Sequence, residues 1–294
     1  MIAPRFDEPV LTFENLSVHK RLWDTSTFDI ATLAAYHKLH MPYQLMDVYL
    51  RACSLEIELD RSGGFEDISD EIDIIRALLY LEGVSPFVVP FCTSYSVNEY
   101  SGINSRDSDS LRDKLPEGLK VGLTTKEGKL EAWGLDLALS VQRASGTAEV
   151  TPKQCEVVSK RFGLWKQIEK EYPIINIVRR IMVSAPMIHD TAASILQIWQ
   201  GIESLFPSVT SEVSFRIALL IAQLCVPVRN GGTMYKEVRA AYGTRSKITH
   251  GAASKVMGAD WDKAWTILCL CLLAVIEREQ LPSEQQLMSE LMPG

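Results

Sequence analysis

The sequence predicts an α+β protein, with a mixed α/β amino-terminal region (residues 1–148) followed by an all-helical bundle (residues 149–294). Three observations predict it. Apolar residues alternate in SLEIELD, residues 54–60, but recur at three- and four-residue spacing from Thr151 onward. Pro, Gly and Asn-Gly breaks cut the second half into pieces of helical length. A chain of 294 residues has room for two cores, at roughly 100–200 residues per domain.

The segment 40–60 ends in a strand-like alternation stopped by RSGG, and 70–83 (DEIDIIRALLYLEG) has the apolar spacing of a helix. Residues 85–95 (SPFVVPFCTSY) predict a buried strand kept near a sheet edge by Pro90, which cannot donate to a ladder. A polar loop over 98–118 is followed by LKVGLTTKEGKLEAW, 119–133, which reads as a β-hairpin turning at KEGK. The ASGTAE stretch near residue 148 marks the boundary. Beyond it, Thr151 is placed to cap a helix that has Pro152 in its first turn. Five more helical segments follow, opening at PIINIV, HDTAAS, SEVSFR, MYKEVR and ADWDKA. No internal repeat is present.

Composition narrows the class. Hydrophobic residues at 47% and charged residues at 23% are values for a folded globular protein, neither disordered nor fibrous. A net charge of −7 argues against an indiscriminately basic nucleic-acid coat, although binding depends on where the positive charge sits. Cys53, Cys92, Cys155, Cys225, Cys269 and Cys271 show no CxxC spacing, and several fall in apolar runs, so reduced buried thiols are expected rather than disulfides or zinc ligands. The opening MIAPRFDEPV lacks the apolar core of a signal peptide. The longest apolar run, residues 265–276, falls short of the ~20 residues that span a bilayer. A cytoplasmic protein without membrane association is expected.

Several motifs carry little. GLTTKEGKL (122–130) mimics a phosphate loop, yet its glycines are misspaced, Leu130 replaces the hydroxyl residue and no helix is predicted to follow. Asn15-Leu16-Ser17 matches a glycosylation sequon that has no meaning in the cytoplasm. His19, His37 and His40 are expected on the surface. His37 and His40 share a predicted helix face but lack a third ligand, so no metal site and no cofactor are predicted. His189 is expected in the first turn of a helix.

His250 stands apart. It closes the helical part of AAYGTRSKITHG (240–251), with four residues between it and Arg245, and stands just before Gly251, a helix-closing residue. At ~100° per residue, a helix over 234–250 gathers Arg239, Tyr242, Arg245, Ser246, Thr249 and His250 within roughly 140°, as one polar face. A solvated face is the plain explanation. Charge argues for more: from Arg229 to Gly258 the basic residues Arg229, Lys236, Arg239, Arg245, Lys247 and Lys255 oppose the single acid Glu237, a net +5. Such a patch in an acidic chain suits a phosphate-bearing ligand.

The ordered combination of three segments resembles the HEPN superfamily, in its Apea-like branch. They are Trp199-x3-Glu203 with Leu205-Phe206, an acid-led apolar stretch from Glu212 to Leu224, and Tyr242-x2-Arg245-Ser246-x3-His250-Gly251. The resemblance covers residues 185–282. It implies a helical, dimerising domain and, in active members, a metal-independent endoribonuclease in which the motif Arg and His, here Arg245 and His250, are the catalytic pair. Ser246, Lys247, Tyr242, Arg239 and Thr249 are the candidate substrate-binding residues around them. The resemblance further implies a toxin or an anti-phage effector, RNA (tRNA among the candidates) as substrate, and an antitoxin or regulatory partner.

The side chains fit that chemistry. RNA supplies its own nucleophile, the 2′-hydroxyl, leaving the enzyme to move protons and to stabilise charge on the phosphorane. His titrates near neutrality, at ~6.5, and Arg presents a fixed fork of donors to phosphate oxygens. The products would be a 2′,3′-cyclic phosphate and a 5′-hydroxyl. One histidine per chain is short of an acid and a base together, so a two-fold dimer joining two copies of 245–250 is expected, with 214–224 or 265–276 supplying apolar interface. The rival expectation is a non-catalytic module whose basic face binds nucleotide, RNA or a protein partner.

Overall fold

In the computed structural model, residues 10–21, 23–39, 43–52, 55–59, 68–87, 89, 91–128, 130–132, 146–252 and 255–291 are described. The chain forms two compact units that interleave in sequence. One comprises 1–69, 87–136 and 148–152, and the other 70–86, 137–147 and 153–294.

The first unit is the mixed one. Strands β1 (Val10–Thr12), β2 (Leu16–Lys20) and β3 (Leu55–Leu59) form an antiparallel sheet in the order β1-β2-β3, with Val18 opposite both Leu11 and Ile57. Leu16 and Val18 bury one face of the central strand, as a period of two requires. Helices α1 (Thr27–Tyr36) and α2 (Tyr43–Ala52) lie between β2 and β3 in sequence, and Ser26 caps α1 by accepting from the Asp29 backbone N–H at 3.1 Å. Ile30, Leu33 and Ala34 of α1 pack with Met46, Leu50, Val97, Tyr100 and Ile103 into this unit's core. Helix α3 (Ile68–Leu81) follows β3 and passes into the second unit. The polar stretch expected as a loop holds one-turn helices, α4 (Ile103–Arg106), α5 (Asp109–Arg112) and α6 (Glu117–Lys120).

The predicted hairpin over 119–133 does not form. Its first residues complete α6, and β5 (Leu130–Ala132) pairs antiparallel with β4 (Phe91–Thr93), nearly forty residues earlier. Side chains hold the loop before β5: Glu127 accepts from Thr124 N–H and Oγ1, Asp107 from the Thr125 N–H, and Leu123 C=O from Arg106 Nε. The strand expected over 85–95 shortens to β4, and Lys129, Pro90 and His40 lie outside the described residues. Two further histidines are engaged rather than free on the surface: His19 meets Glu58 at 2.9 Å and His37 meets Gly128 C=O at 2.7 Å.

The second unit is helical. It holds α3 from Asp70 onward, α7 (Pro152–Glu171), α8 (Pro173–Ser184), α9 (Thr191–Ser204), α10 (Val213–Leu224), α11 (Gly231–Thr249), α12 (Gly258–Glu277) and α13 (Glu284–Leu291). A single boundary near 148 leaves α3 on the wrong side. Its side chains bind it here instead: Lys166 pairs with Glu71, Arg179 with Asp70, and the Tyr80 ring lies 5.8 Å from that of Trp265.

Local signals start these helices. Pro173 opens α8, Asp190 caps α9 by accepting from Ala193 N–H at 2.6 Å, and Asn230 caps α11 by accepting from Thr233 N–H at 3.0 Å. His189 therefore precedes the α9 cap instead of lying in its first turn. Helix α12 is the central element, with α9, α10 and α11 packed on it. The run expected to offer a dimer face is mostly consumed there: from Trp265 to Ile276 only Thr266 is exposed, while Cys269, Leu270 and Leu273 are half-buried. Trp261 stacks on Trp265 at 5.1 Å and donates from Nε1 to Ser194 Oγ at 2.7 Å, tying α12 to α9. Among the described residues no helix is long and apolar enough to cross a membrane.

Candidate functional site

The residues that carry the predicted chemistry all lie on α11 and the turn that ends it. The helix closes in a Schellman arrangement: Gly251 N–H donates to Ile248 C=O at 3.1 Å and Ala252 N–H to Lys247 C=O at 2.8 Å. Gly251 adopts φ +67°, the left-handed conformation in which glycine avoids the Cβ penalty. His250 is the residue just before it, exposed, and its backbone N–H donates to Ser246 C=O at 3.1 Å. The geometry of the helix end thus fixes where the imidazole emerges. Among the described residues its ring makes no hydrogen bond or ion pair.

Arg245 faces elsewhere. Its Nη2 donates to Glu203 Oε2 of α9 at 3.0 Å, and its guanidinium lies over the Tyr242 ring, 5.4 Å from the centroid. Tyr242 in turn meets Trp199 edge to face, with centroids 5.1 Å apart. Trp199 and Glu203 are one turn apart on α9, as Tyr242 and Arg245 nearly are on α11, so four residues distant in sequence form one cluster. Arg245 and Glu203 are each only 26% exposed, and Arg245 Nε and Glu203 Oε1 are buried without a hydrogen-bond partner. The guanidinium is held at two points with donor capacity left over.

The single polar face expected from the spacing is therefore split. Tyr242 is 8% exposed and turned into the unit, and Arg245 and Ser246 are half-buried, whereas Arg239, Lys247, Thr249 and His250 are exposed. Thr249 Oγ1 donates back to Arg245 C=O at 3.0 Å, a local bond that occupies its hydroxyl hydrogen. Five residues of helix separate Arg245 from His250 by ~7.5 Å along the axis and ~140° around it, and no bond joins the two side chains. Burial pushes the Tyr242 hydroxyl up, the Glu203 carboxylate adds to this, and Arg245 opposes it. That tyrosine holds its proton firmly and is a poor proton acceptor.

Charge sorts in the same way. Glu237 pairs with Arg229 and Glu203 with Arg245, leaving Lys236, Arg239, Lys247 and Lys255 as exposed cations. Spacing predicts the patch but not the role of Glu203. Its position four residues after Trp199 is the available signal, yet that signal names no partner without the packing of α9 on α11.

A second ionic cluster escapes the sequence altogether. Arg179 of α8 is fully buried and donates from Nε to Glu169 of α7 at 2.7 Å; Asp73 and Arg76 of α3 lie beside it. Trp165 Nε1 and Asn176 Nδ2 also donate to Glu169, so this cluster reads as the join of three helices. Among the described residues no group of three or more His, Cys, Asp or Glu side chains is arranged to hold a metal ion.

Compared with known proteins, the chain matches no family model, no curated protein sequence and no solved structure.

Proposed function

We propose that the protein is an RNA endonuclease of the HEPN type, in which Arg245 and His250 act on RNA without a metal. The observation that carries this is the last turn of α11. There a braced guanidinium with unspent donors and an unpartnered, exposed imidazole flank one helix end, on a strongly basic segment of an acidic chain. His250 would move the proton between the 2′-hydroxyl and the leaving 5′-oxygen, and Arg245 would stabilise charge on the phosphorane. Two copies of the segment, brought together in a homodimer, would supply the second proton-transfer group. Tyr242, with its raised pKa, does not fill that role as a base. A toxin or anti-phage role, in the cytoplasm and under the restraint of a partner, follows from the same reading.

The ion pair favours one rival. Glu203 offsets the charge of Arg245, as in a basic module that binds RNA, a nucleotide or a protein without cutting. Turnover separates the two. Purified protein should cleave RNA in excess EDTA and leave 2′,3′-cyclic phosphate ends. Cleavage lost in EDTA and restored by Mg²⁺ or Mn²⁺ would replace the proposed chemistry with a metal-assisted one, and absence of any cleavage would leave the binding module.

A further inference from the structure

We propose that the flank between α10 and α11 is a stacking subsite for unpaired bases, so that the strand delivered to His250 is single-stranded RNA. For the identity of the ligand, this rests on the ribonucleolytic reading above. The Phe215 ring, in the first turn of α10, is 47% exposed, in a unit where Trp165, Trp199, Trp261 and Trp265 are all buried. It meets Tyr235 of α11 edge to face, with centroids 6.4 Å apart and the rings at 79°. The neighbouring Ser214 Oγ accepts from Arg239 Nη1 at 3.0 Å, which anchors that guanidinium beside the aromatic pair while the residue stays exposed.

An exposed aromatic face beside a fixed cation is what one nucleotide needs: the ring for the base, the guanidinium for the phosphate. From there, Arg239 and Lys247 project from the exposed side of α11 on the way to His250. The only acid on that helix, Glu237, is already paired with Arg229. Charge complementarity therefore favours a polyanion along α11 from Arg239 to His250, while the exposed Glu212 stands just before α10 at the Phe215 end. A duplex would satisfy the cations but not the ring, because paired bases keep their faces stacked inside the helix. A single strand satisfies both. Tyr235 and His250 are ~22 Å apart along the axis, about six nucleotides at ~3.4 Å each, and fewer if the strand is extended.

The test measures binding on the full chain carrying His250→Ala, which prevents turnover, with a twelve-residue oligouridylate and a twelve-base-pair RNA duplex as probes. The subsite predicts that adding Phe215→Ala weakens oligouridylate binding by about tenfold and duplex binding by less than twofold, with Phe215→Trp restoring the former. Arg239→Ala should weaken both and lower the salt dependence of each. Equal oligouridylate affinity with and without Phe215, or no binding to either probe, overturns the proposal. So does a Phe215→Ala effect confined to oligomeric state, which would make this flank a protein interface. Cleavage by the wild-type chain is scored separately. If it is absent while the Phe215 pattern holds, the nuclease reading falls and the subsite stands; if it is present without that pattern, the subsite alone falls.

Discussion

Arg245 sits between a carboxylate and an aromatic ring, one-quarter exposed, and that environment separates it from an ordinary surface arginine. A solvated guanidinium loses rotamer freedom on meeting a phosphate. One already clamped by Glu203 and Tyr242 has lost it on folding, so under the proposed function a phosphate would meet a donor that is in place. The same clamp means that removing Arg245 strands a half-buried Glu203, so effects of Arg245 variants on activity have to be read beside their effects on folding. His250 carries no such complication, because it is exposed and unpartnered. The buried ionic cluster carries a prediction of its own. Burial holds the Asp73 carboxyl above its ordinary value, with Arg76 and Arg179 pulling it back and Asp70 pushing it further up. A raised folded-state pKa means that the native protein binds the proton more tightly than the unfolded chain. Stability from this group is thus greatest in acid and declines as pH rises through the window above the usual carboxylate value. The stability of Asp73→Asn relative to wild type should therefore shift in favour of the variant as pH rises above the usual carboxylate range. Denaturant titrations at several pH values check this, and a difference that is flat or moves the other way refutes it.

At the level of elements, the helices of the second unit other than α13 are legible in the sequence because their signals are local. Pro173, Asp190, Asn230 and Gly251 each act within one turn, and the 3.6-residue period needs only the helix itself. The predicted hairpin fails for the opposite reason. KEGK has turn chemistry, but β5 takes its partner from β4, and the loop before it is fixed by Asp107 and Arg106, which no local window contains. The end of α10 is similar. Its last carbonyls, those of Gln223 and Leu224, accept from the Arg278 guanidinium beyond α12, and Arg278 also pairs with Glu290 of α13, a helix the sequence pattern does not announce. Helix phase places the candidate residues on α11 correctly relative to one another. It cannot say which edge of the arc points inward, because that depends on Trp199 and Glu203, some forty residues earlier.

For the whole molecule, interleaving decides what a working fragment must contain: residues 70–86 belong with the helical unit, so a fragment beginning near 149 lacks Glu71, Asp73 and Tyr80. The proposed dimer makes a quantitative demand at this scale. If each cleft needs both copies of His250, mixing wild type with His250→Ala under subunit exchange should give activity that follows the square of the wild-type fraction, since only wild-type homodimers are competent. Activity in direct proportion to that fraction would mean that each chain works alone and that the second proton-transfer group lies within it. Whether the pair at the end of α11 does chemistry at all is decided by cleavage of a defined RNA in EDTA by wild type, His250→Ala and Arg245→Ala, with melting temperatures taken on the same samples. A metal-independent Arg/His mechanism requires a loss of ~10²-fold or more in each variant, with the His250→Ala melting temperature unchanged. Wild-type rates in a folded His250→Ala would contradict it.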